Sequence, residues 1–344
     1  MEPPKSISPI VKKAEKLLSG YQSFSISTKI PKEWLVDEEK EFDKKMLGAS
    51  SIKNSLNERI WKKLSEKTGL TYSREGDIRI VFDFRKDMLE ISLEKIPIFV
   101  FGRYKKLVPG ISQSRWKCID CNGKGCPQCK QKGKHYESVE EKIGDVMKKH
   151  FSAKDYTMHA SGREDVDATC SAGRAFVMEI KEPEKRDADM KKIAKEIEKN
   201  KEVEVIDLSI VPRSFEQVVT ESHFDKEYLA EVVFEEEITD SQIKKIESLA
   251  GIILDQRTPT RVAHRRSDLV RKRKIIELKI EKKTGNRKQV TARIRAEAGT
   301  YIKELIHGDN GRTKPSFASI LGFGAKCTKL EVSRIDDDFL STVG

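Results

Sequence analysis

The chain has 344 residues, with 67 Lys and Arg against 56 Asp and Glu, a formal charge of +11 and a pI near 9.1. No apolar run approaches the roughly 18 residues of a membrane span, and the start, MEPPKSISPIVKKAEK, lacks the apolar centre of a secretory leader. These features exclude a membrane protein, predict a cytoplasmic one, and point to a polyanionic partner, of which nucleic acid is the commonest.

The N-terminal part reads as one small domain. From EEKEFDKKM through IKNSLNERIWKKLSEKTG apolar residues recur at helical spacing, with Leu56, Ile60 and Leu64 on one face. Two strand patterns follow, DIRIVFDF with period two and then MLEISLEKIPIFVFGRYKKL. Helix followed by paired strands predicts an α/β or α+β domain.

CIDCNGKGCPQC then sets Cys118, Cys121, Cys126 and Cys129 at C-x2-C-x4-C-x2-C. Two thiolate pairs so spaced can close a tetrahedral zinc site, with Gly123 and Gly125 supplying the tight turns. A reducing compartment disfavours disulfides between them. No His or carboxylate is placed to leave an open catalytic position, so the expected metal is structural. Binding energies of roughly 10–16 kcal/mol in small zinc modules are enough to replace a core. Lys117, Lys124, Lys130, Lys132 and Lys134 surround the loop and predict contact with RNA phosphate. Cys170 and Cys327 stand alone and read as small apolar residues.

ESVEEKIGDVMKKHF reads as a connecting helix, and the pattern changes from Phe151. In SGREDVDATCSAGRAF the carboxylates Glu164, Asp165 and Asp167 sit between Gly-Arg and Ala-Gly-Arg, just before RAFVMEI, a buried-strand pattern. Such a cluster is either a solvated turn or a working acid, and the residues alone do not choose which carboxylate works. EVEVIDLSIV, KEYLAEVVF, IIELKIEKK and QVTARIRAE are further strands, separated by the helices ADMKKIAKEIEKN and TDSQIKKIESLAG, with TGNRK reading as a hairpin turn. Strands with irregularly placed helices predict an α+β domain with a mainly antiparallel sheet. RVAHRRSDLVRKRK, Arg261 to Lys274, has seven basic residues against one acid, Asp268. A face kept for solubility mixes its signs more evenly, so Arg265, Arg266, Arg271 and Arg273 are candidates for phosphate contacts.

GREDVDATCSAGRAF, KEYLAEVVF and AGTYIKELIHGDNGRTKPSFASILGFGAKCTKLEV, in this order, resemble the catalytic domain of the tRNA pseudouridine synthases, above all the archaeal-type tRNA pseudouridine-54/55 synthase family. FGRYKKLVPGISQSRWKCIDCNGKGCPQC resembles that family's N-terminal segment, cysteines included. The resemblance spans roughly Ile78 to Leu330. It implies an α+β fold, with a THUMP-type RNA-binding domain and its four-cysteine zinc knuckle in residues 1–148 and a pseudouridine synthase domain in 149–344. It also implies the chemistry. The C1′–N1 bond of a uridine breaks, the base rotates while bound, and C5 bonds to C1′, with no organic cofactor.

Carried over residue by residue, the catalytic carboxylate is Asp165, after Gly162-Arg163-Glu164, and its basic partner is Lys303 in GTYIKEL. Tyr228 stacks on the target base, Tyr301 and Leu330 line the site, and Arg257 and Arg261, in LDQRTPTRVAHRR, enter the RNA near the target. Glu164 and Asp167 are expected to be solvated or bonded to the loop backbone. The implied partner is tRNA, bound by a monomer. Two other readings remain open at this level. A non-catalytic zinc-containing RNA-binding protein would share the charge and the cysteines but would not need the Asp165, Lys303 and Tyr228 set. Another THUMP-containing tRNA modifier would need a nucleotide-binding glycine loop, and the sequence contains none.

Overall fold

The computed structural model describes residues 4, 6–34, 52–86, 88–282, 287–337 and 339, without the side chains of Arg265 and Lys282. The EEKEFDKKM segment and most of the TGNRK turn lie outside these. The chain divides into two compact units. One comprises Met1–Ile98, Phe151–Tyr156 and Ile180–Asp187, the other Phe99–His150, Thr157–Glu179 and Ala188–Gly344.

The first unit holds a four-stranded sheet of β1 (Ser23–Lys29), β2 (Thr71–Tyr72), β3 (Ile78–Asp83) and β4 (Glu90–Lys95), ordered β2-β1-β3-β4. β1 runs parallel to β2 and β3, whereas β3 and β4 are antiparallel. The helices Ser8–Glu15 and Ile52–Thr68 belong to the same unit. Leu56, Ile60 and Leu64, predicted to share a face, are buried in one core with Val11, Phe24, Ile78, Ile80 and Phe82.

The run MLEISLEKIPIFVFGRYKKL, read as one strand pattern, is two strands. It breaks at Ile96-Pro97, where proline has no N–H for a ladder. β4 stays in the first sheet, and β5 (Ile98–Lys106) joins the second. The first compact unit accordingly runs without interruption to Ile98, and the second takes up the chain at Phe99. Phe99 and Phe101 of β5 are buried with Ala175, Val177 and Val219, and the cysteine loop and the helix Val139–His150 belong to the second unit.

The second sheet contains β5, β6 (Asp155–Ala160), β7 (Thr169–Lys181), β8 (Val203–Val211), β9 (Lys226–Phe234), β10 (Ile253–Arg257), β11 (Val270–Lys282), β12 (Gln289–Ala296), β13 (Thr313–Lys314) and β14 (Ala325–Ile335). Its order is β13-β10-β11-β12-β9-β14-β7-β5-β8, with β6 on β7. β9 pairs antiparallel with β12 and β14, and β11 with β10 and β12, while β14 and β7 are parallel. This is the predicted mixed, mainly antiparallel sheet. On β9 burial alternates strictly, so Lys226, Tyr228, Ala230, Val232 and Phe234 share the inner face. The helices Asp240–Glu247, Ile302–His307 and Phe317–Leu321 supply Ile243, Ile246, Ile302, Leu305, Ile306 and Phe317 to that core. Among the described residues no helix is long and apolar enough to cross a membrane.

Candidate active site

The turn from β6 into β7 carries the three carboxylates, and each meets a different environment. Arg174 lies on the buried strand β7, and a guanidinium there must be paired. Its Nε donates to Glu164 Oε2 at 2.7 Å and its Nη1 to the Ser161 carbonyl at 2.8 Å, with both side chains of the pair 1% exposed. The Tyr104 hydroxyl also donates to Glu164, at 2.9 Å. The sequence led to the expectation that Glu164 is solvated or bonded to the loop backbone, and it is neither. It is the counter-ion of a buried arginine. Gly162 has a φ of +74°, and a Cβ there would lie 3.2 Å from Arg174 Nη1. Both observations favour glycine at this position.

Two buried side chains fix the rest of the turn. Gln113 Nε2 donates to the Gly162 carbonyl at 2.9 Å, and Lys106 Nζ donates to the carbonyls of Asp165 and Val166 at 3.0 and 2.8 Å. With its backbone so held, Asp165 presents its carboxylate to a cavity of ≈ 370 Å³.

Two cations meet that carboxylate. Arg261 Nη1 donates to Asp165 Oδ1 at 2.7 Å, and Lys303 Nζ lies 3.3 Å from Oδ2. Burial pushes the Asp165 carboxyl up, but the Arg261 and Lys303 charges outweigh it and hold it below the ordinary carboxylate value. Lys303 also bonds Asp167 Oδ1 at 2.6 Å, and Asp167 is 71% exposed. Burial opposes the lysine's charge, yet Asp167 and Asp165 together raise its pKa.

Arg261, expected to face RNA, is instead tied within the site. Its Nε donates to Glu304 Oε1 at 2.7 Å, and Glu304 is 1% exposed. Glu304 lies in the first turn of the helix Ile302–His307, one residue after Lys303, so a single turn of helix sets both cations around Asp165.

Tyr301 precedes that helix. Gln256 on β10, fully buried, pins its backbone by accepting from Tyr301 N at 2.9 Å and donating to Tyr301 O at 3.0 Å. The Tyr301 hydroxyl accepts from Arg266 Nη1 at 2.8 Å. Tyr228 and Leu330 are buried in the cavity wall, on neighbouring strands. Burial pushes the Tyr228 phenol up to about 12, which keeps it protonated at neutral pH.

The cavity thus gathers Asp165, Lys303, Tyr228, Tyr301, Leu330, Arg261 and Arg266. Arg257 is not among its lining residues. It is bound to Asp268 through Nη2 and Oδ2 at 2.6 Å, and Arg312 reaches the same carboxylate at 2.6 Å. The Arg265 side chain falls outside the described residues. Sequence reasoning missed Arg174, Glu304, Lys106 and Gln113. Only Arg174 left a signal, because an arginine inside RAFVMEI demands a buried carboxylate nearby.

Cys118, Cys121, Cys126 and Cys129 place their sulfurs within 4.8 Å of one another. Separations of 3.8, 3.8 and 3.7 Å are recorded between Cys118 and Cys126, Cys121 and Cys129, and Cys126 and Cys129. Metal–sulfur bonds of about 2.3 Å in a tetrahedron require edges of about 3.8 Å. The backbone N–H groups of Gly125, Cys126 and Gly133 each donate to a cysteine sulfur at 3.2 Å, which favours thiolate. The cluster could bind a metal ion, and the donor set fits one held by four thiolates.

The Asp165 carboxylate thus lies between two cations in a cavity that Tyr228, Tyr301 and Leu330 line. A family model described as "Pus10, C-terminal" matches residues 99–336. The chain is 43% identical over 285 residues to a protein of Archaeoglobus fulgidus named "tRNA pseudouridine synthase Pus10", covering 82% of this chain and 78% of that one. It is 36% identical over 346 residues to the protein of the same name from Methanosphaera stadtmanae, covering 95% and 84%. The chain belongs to the archaeal Pus10 family of tRNA pseudouridine synthases. Among solved structures it is similar to a chain in "Crystal Structure of a Cbf5-Nop10-Gar1 Complex", at a TM-score of 0.36 and 17% identity over 68% of this chain and 58% of that one. A likeness at that level decides nothing.

Proposed function

We propose that this chain converts uridine to pseudouridine in the TΨC arm of tRNA, at position 54, 55 or both, with Asp165 as the catalytic carboxylate. The observation that carries the reading is Asp165, ionised between Arg261 and Lys303 in a cavity that Tyr228 and Tyr301 line. The reaction needs a carboxylate that stays charged beside the sugar while water is kept away. Desolvation alone would protonate it, and the paired cations prevent this. Tyr228, protonated and buried, offers a stacking face and a donor. Tyr301 and Leu330 complete the wall against the base. A uridine stacked in a tRNA arm must be flipped out, at a cost of a few kcal/mol, and phosphate contacts elsewhere can support that step.

Arg266 and the basic strand β11 are the proposed grip near the site. Arg257 and Arg261 are better read as scaffold, since each is already committed to carboxylates. The four cysteines would hold a structural Zn2+, which supplies a fixed loop geometry and no chemistry. The N-terminal unit is proposed as a THUMP-type RNA-binding domain, supported by its mixed α/β make-up, and the protein as a cytoplasmic monomer. A non-catalytic RNA-binding role is not favoured, because it gives no reason to surround one carboxylate with two cations and two tyrosines. Incubating the purified protein with an unmodified tRNA transcript and mapping pseudouridine tests the reading. Product at position 54 or 55 supports it, and none anywhere overturns it.

A further inference from the structure

Among the described residues, four buried or half-buried cations around the catalytic turn are paired by carboxylates or held by two carbonyls. Arg174 has Glu164 and the Ser161 carbonyl, Lys106 has two carbonyls, Arg261 has two carboxylates, and Lys303 has two carboxylates. Lys226 lines the same cavity, is 8% exposed, and donates to a single acceptor, the Phe224 carbonyl, at 2.7 Å. Among the described residues no carboxylate lies within ion-pair distance of it. The Asp225 and Asp337 charges act on it from beyond ion-pair distance and do not outweigh its burial, and a buried ammonium with no carboxylate in contact is costly unless an anion arrives to pair it. Burial and the neighbouring Arg174 charge pull its pKa down to about 8, which expresses that cost.

Its place on β9 says which anion. Lys226 and Tyr228 share the inner face two residues apart, so their side chains leave the strand about 7 Å from each other. A base lying on Tyr228 has its polar edge within reach of an amine at that distance.

We propose that Lys226 is a catalytic residue that donates to a carbonyl oxygen of the uracil ring and holds the negative charge of the base while it is detached from the ribose. The inference rests on the reading of the chain as a uridine isomerase and adds a role to it. When the C1′–N1 bond breaks, its electron pair goes to N1 and spreads to O2 and O4, as a carboxylate oxygen of Asp165 meets C1′. Lys226 stabilises that anion and gives up no proton. C5 of the rotated base then bonds to C1′ and displaces the carboxylate. The C5 proton leaves through the freed Asp165, and N1 takes one from solvent. A donor aimed at charge that develops only in the transition state is worth about a hundredfold or more in rate.

The test uses Lys226→Met, with Lys226→Gln as a second variant, on two tRNA substrates carrying either uridine or 5-fluorouridine. The 5-fluorouracil anion is intrinsically more stable and depends less on the protein. Single-turnover loss of the target nucleoside is read at saturating enzyme, and each variant is compared with itself on the two substrates, so the folded fraction cancels. The expected result is a loss of about a hundredfold on uridine that shrinks to about tenfold or less on 5-fluorouridine, with tRNA affinity and its salt dependence unchanged. Equal losses on both substrates, or an unchanged uridine rate, would overturn the proposal. So would a flatter salt slope, which would assign Lys226 to a phosphate. Wild-type protein that forms no pseudouridine would overturn the parent reading as well, whereas the other failures leave it standing.

Discussion

Glu164 and Asp165 are neighbours in the chain whose carboxylates face opposite environments. Glu164 turns inward to Arg174 and Tyr104 and is 1% exposed, whereas the Asp165 side chain is 27% exposed and meets Arg261 and Lys303 at the cavity. The first is a counter-ion, spent on neutralising a strand arginine. The second is held charged by groups that leave it open to a ligand. Position in the turn, one residue apart, separates a buried counter-ion from the carboxylate proposed to react.

Asp165→Asn should lower the single-turnover rate by at least about a thousandfold, as removal of a reacting group does in other enzymes. Affinity for tRNA should stay near wild type, since little contact area is lost. Asp167→Asn should retain most activity, because Asp167 is 71% exposed and, among the described residues, its recorded side-chain partner is Lys303. Comparable losses in the two variants would remove Asp165 from its assigned place.

Arg174→Met should destabilise the fold by about 3–5 kcal/mol, the usual cost of stripping one partner from a buried ion pair. Glu164 would be left charged, 1% exposed, with Tyr104 as its remaining donor. The double variant Arg174→Met with Glu164→Gln should recover part of that loss. Denaturant midpoints at constant slope measure both, and a single variant as stable as wild type would contradict the burial argument.

The pH dependence follows from the direction of the Asp165 shift. Its pKa is lowered in the folded protein, so the ionised form, and any stability linked to it, is present above the unfolded value of 3.8 and lost only as pH falls through the folded value. Arg261→Gln removes the nearer charge and leaves burial working upward, so the acid limb of the rate should move to higher pH. Arg261→Lys should move it less. Rate against pH at saturating enzyme decides the matter, and an unmoved limb in Arg261→Gln would mean that Asp165 does not carry that titration.

Much of the architecture was legible because it rests on local periodicity. Leu56, Ile60 and Leu64 repeat at helical spacing and are buried together, and KEYLAEVVF alternates as a strand with one face in the core. The break at Pro97 was readable too, but the apolar residues on both sides of it masked the change of sheet. Motif resemblance, not pattern, selected Asp165 among three carboxylates. What no local pattern carries is contact across the chain. Arg261 and Asp165 are 96 residues apart, and Lys106 reaches the turn from 59 and 60 residues away. These pairings are set by sheet order, which brings β5, β7 and the segment after β10 around one turn.

The cysteine loop should return one Zn2+ per chain on metal analysis, lost when Cys118 and Cys126 are changed to Ser. Each change opens a recorded sulfur–sulfur edge of the cluster. Activity should fall less than for Asp165→Asn, because the metal is assigned to loop geometry. Protein prepared without chelators that carries no metal would refute the site.

The basic strand gives the last prediction. Exposed Lys272 and Lys274 lie on β11 with Arg271 and Arg273, whose side chains are half-buried; Arg271 donates to Thr258 Oγ1 at 3.0 Å and Arg273 to the Lys272 carbonyl at 2.8 Å. Lys272 is engaged by Asp255 at 3.0 Å, but both groups are well exposed, and such a pair is worth little and is easily exchanged for phosphate. Each phosphate contact contributes about 0.7–0.9 to the slope of log K against log[salt]. Replacing all four residues with Ala should therefore flatten the slope for tRNA by roughly 1.5 or more if at least two contacts are real. The single-turnover rate at saturating enzyme should change far less, since none of the four lines the Asp165 cavity. An unchanged slope would leave the stripe as a solvated face. A collapse of the saturated rate with binding intact would place β11 inside the chemistry, and the cavity would have to extend along that strand.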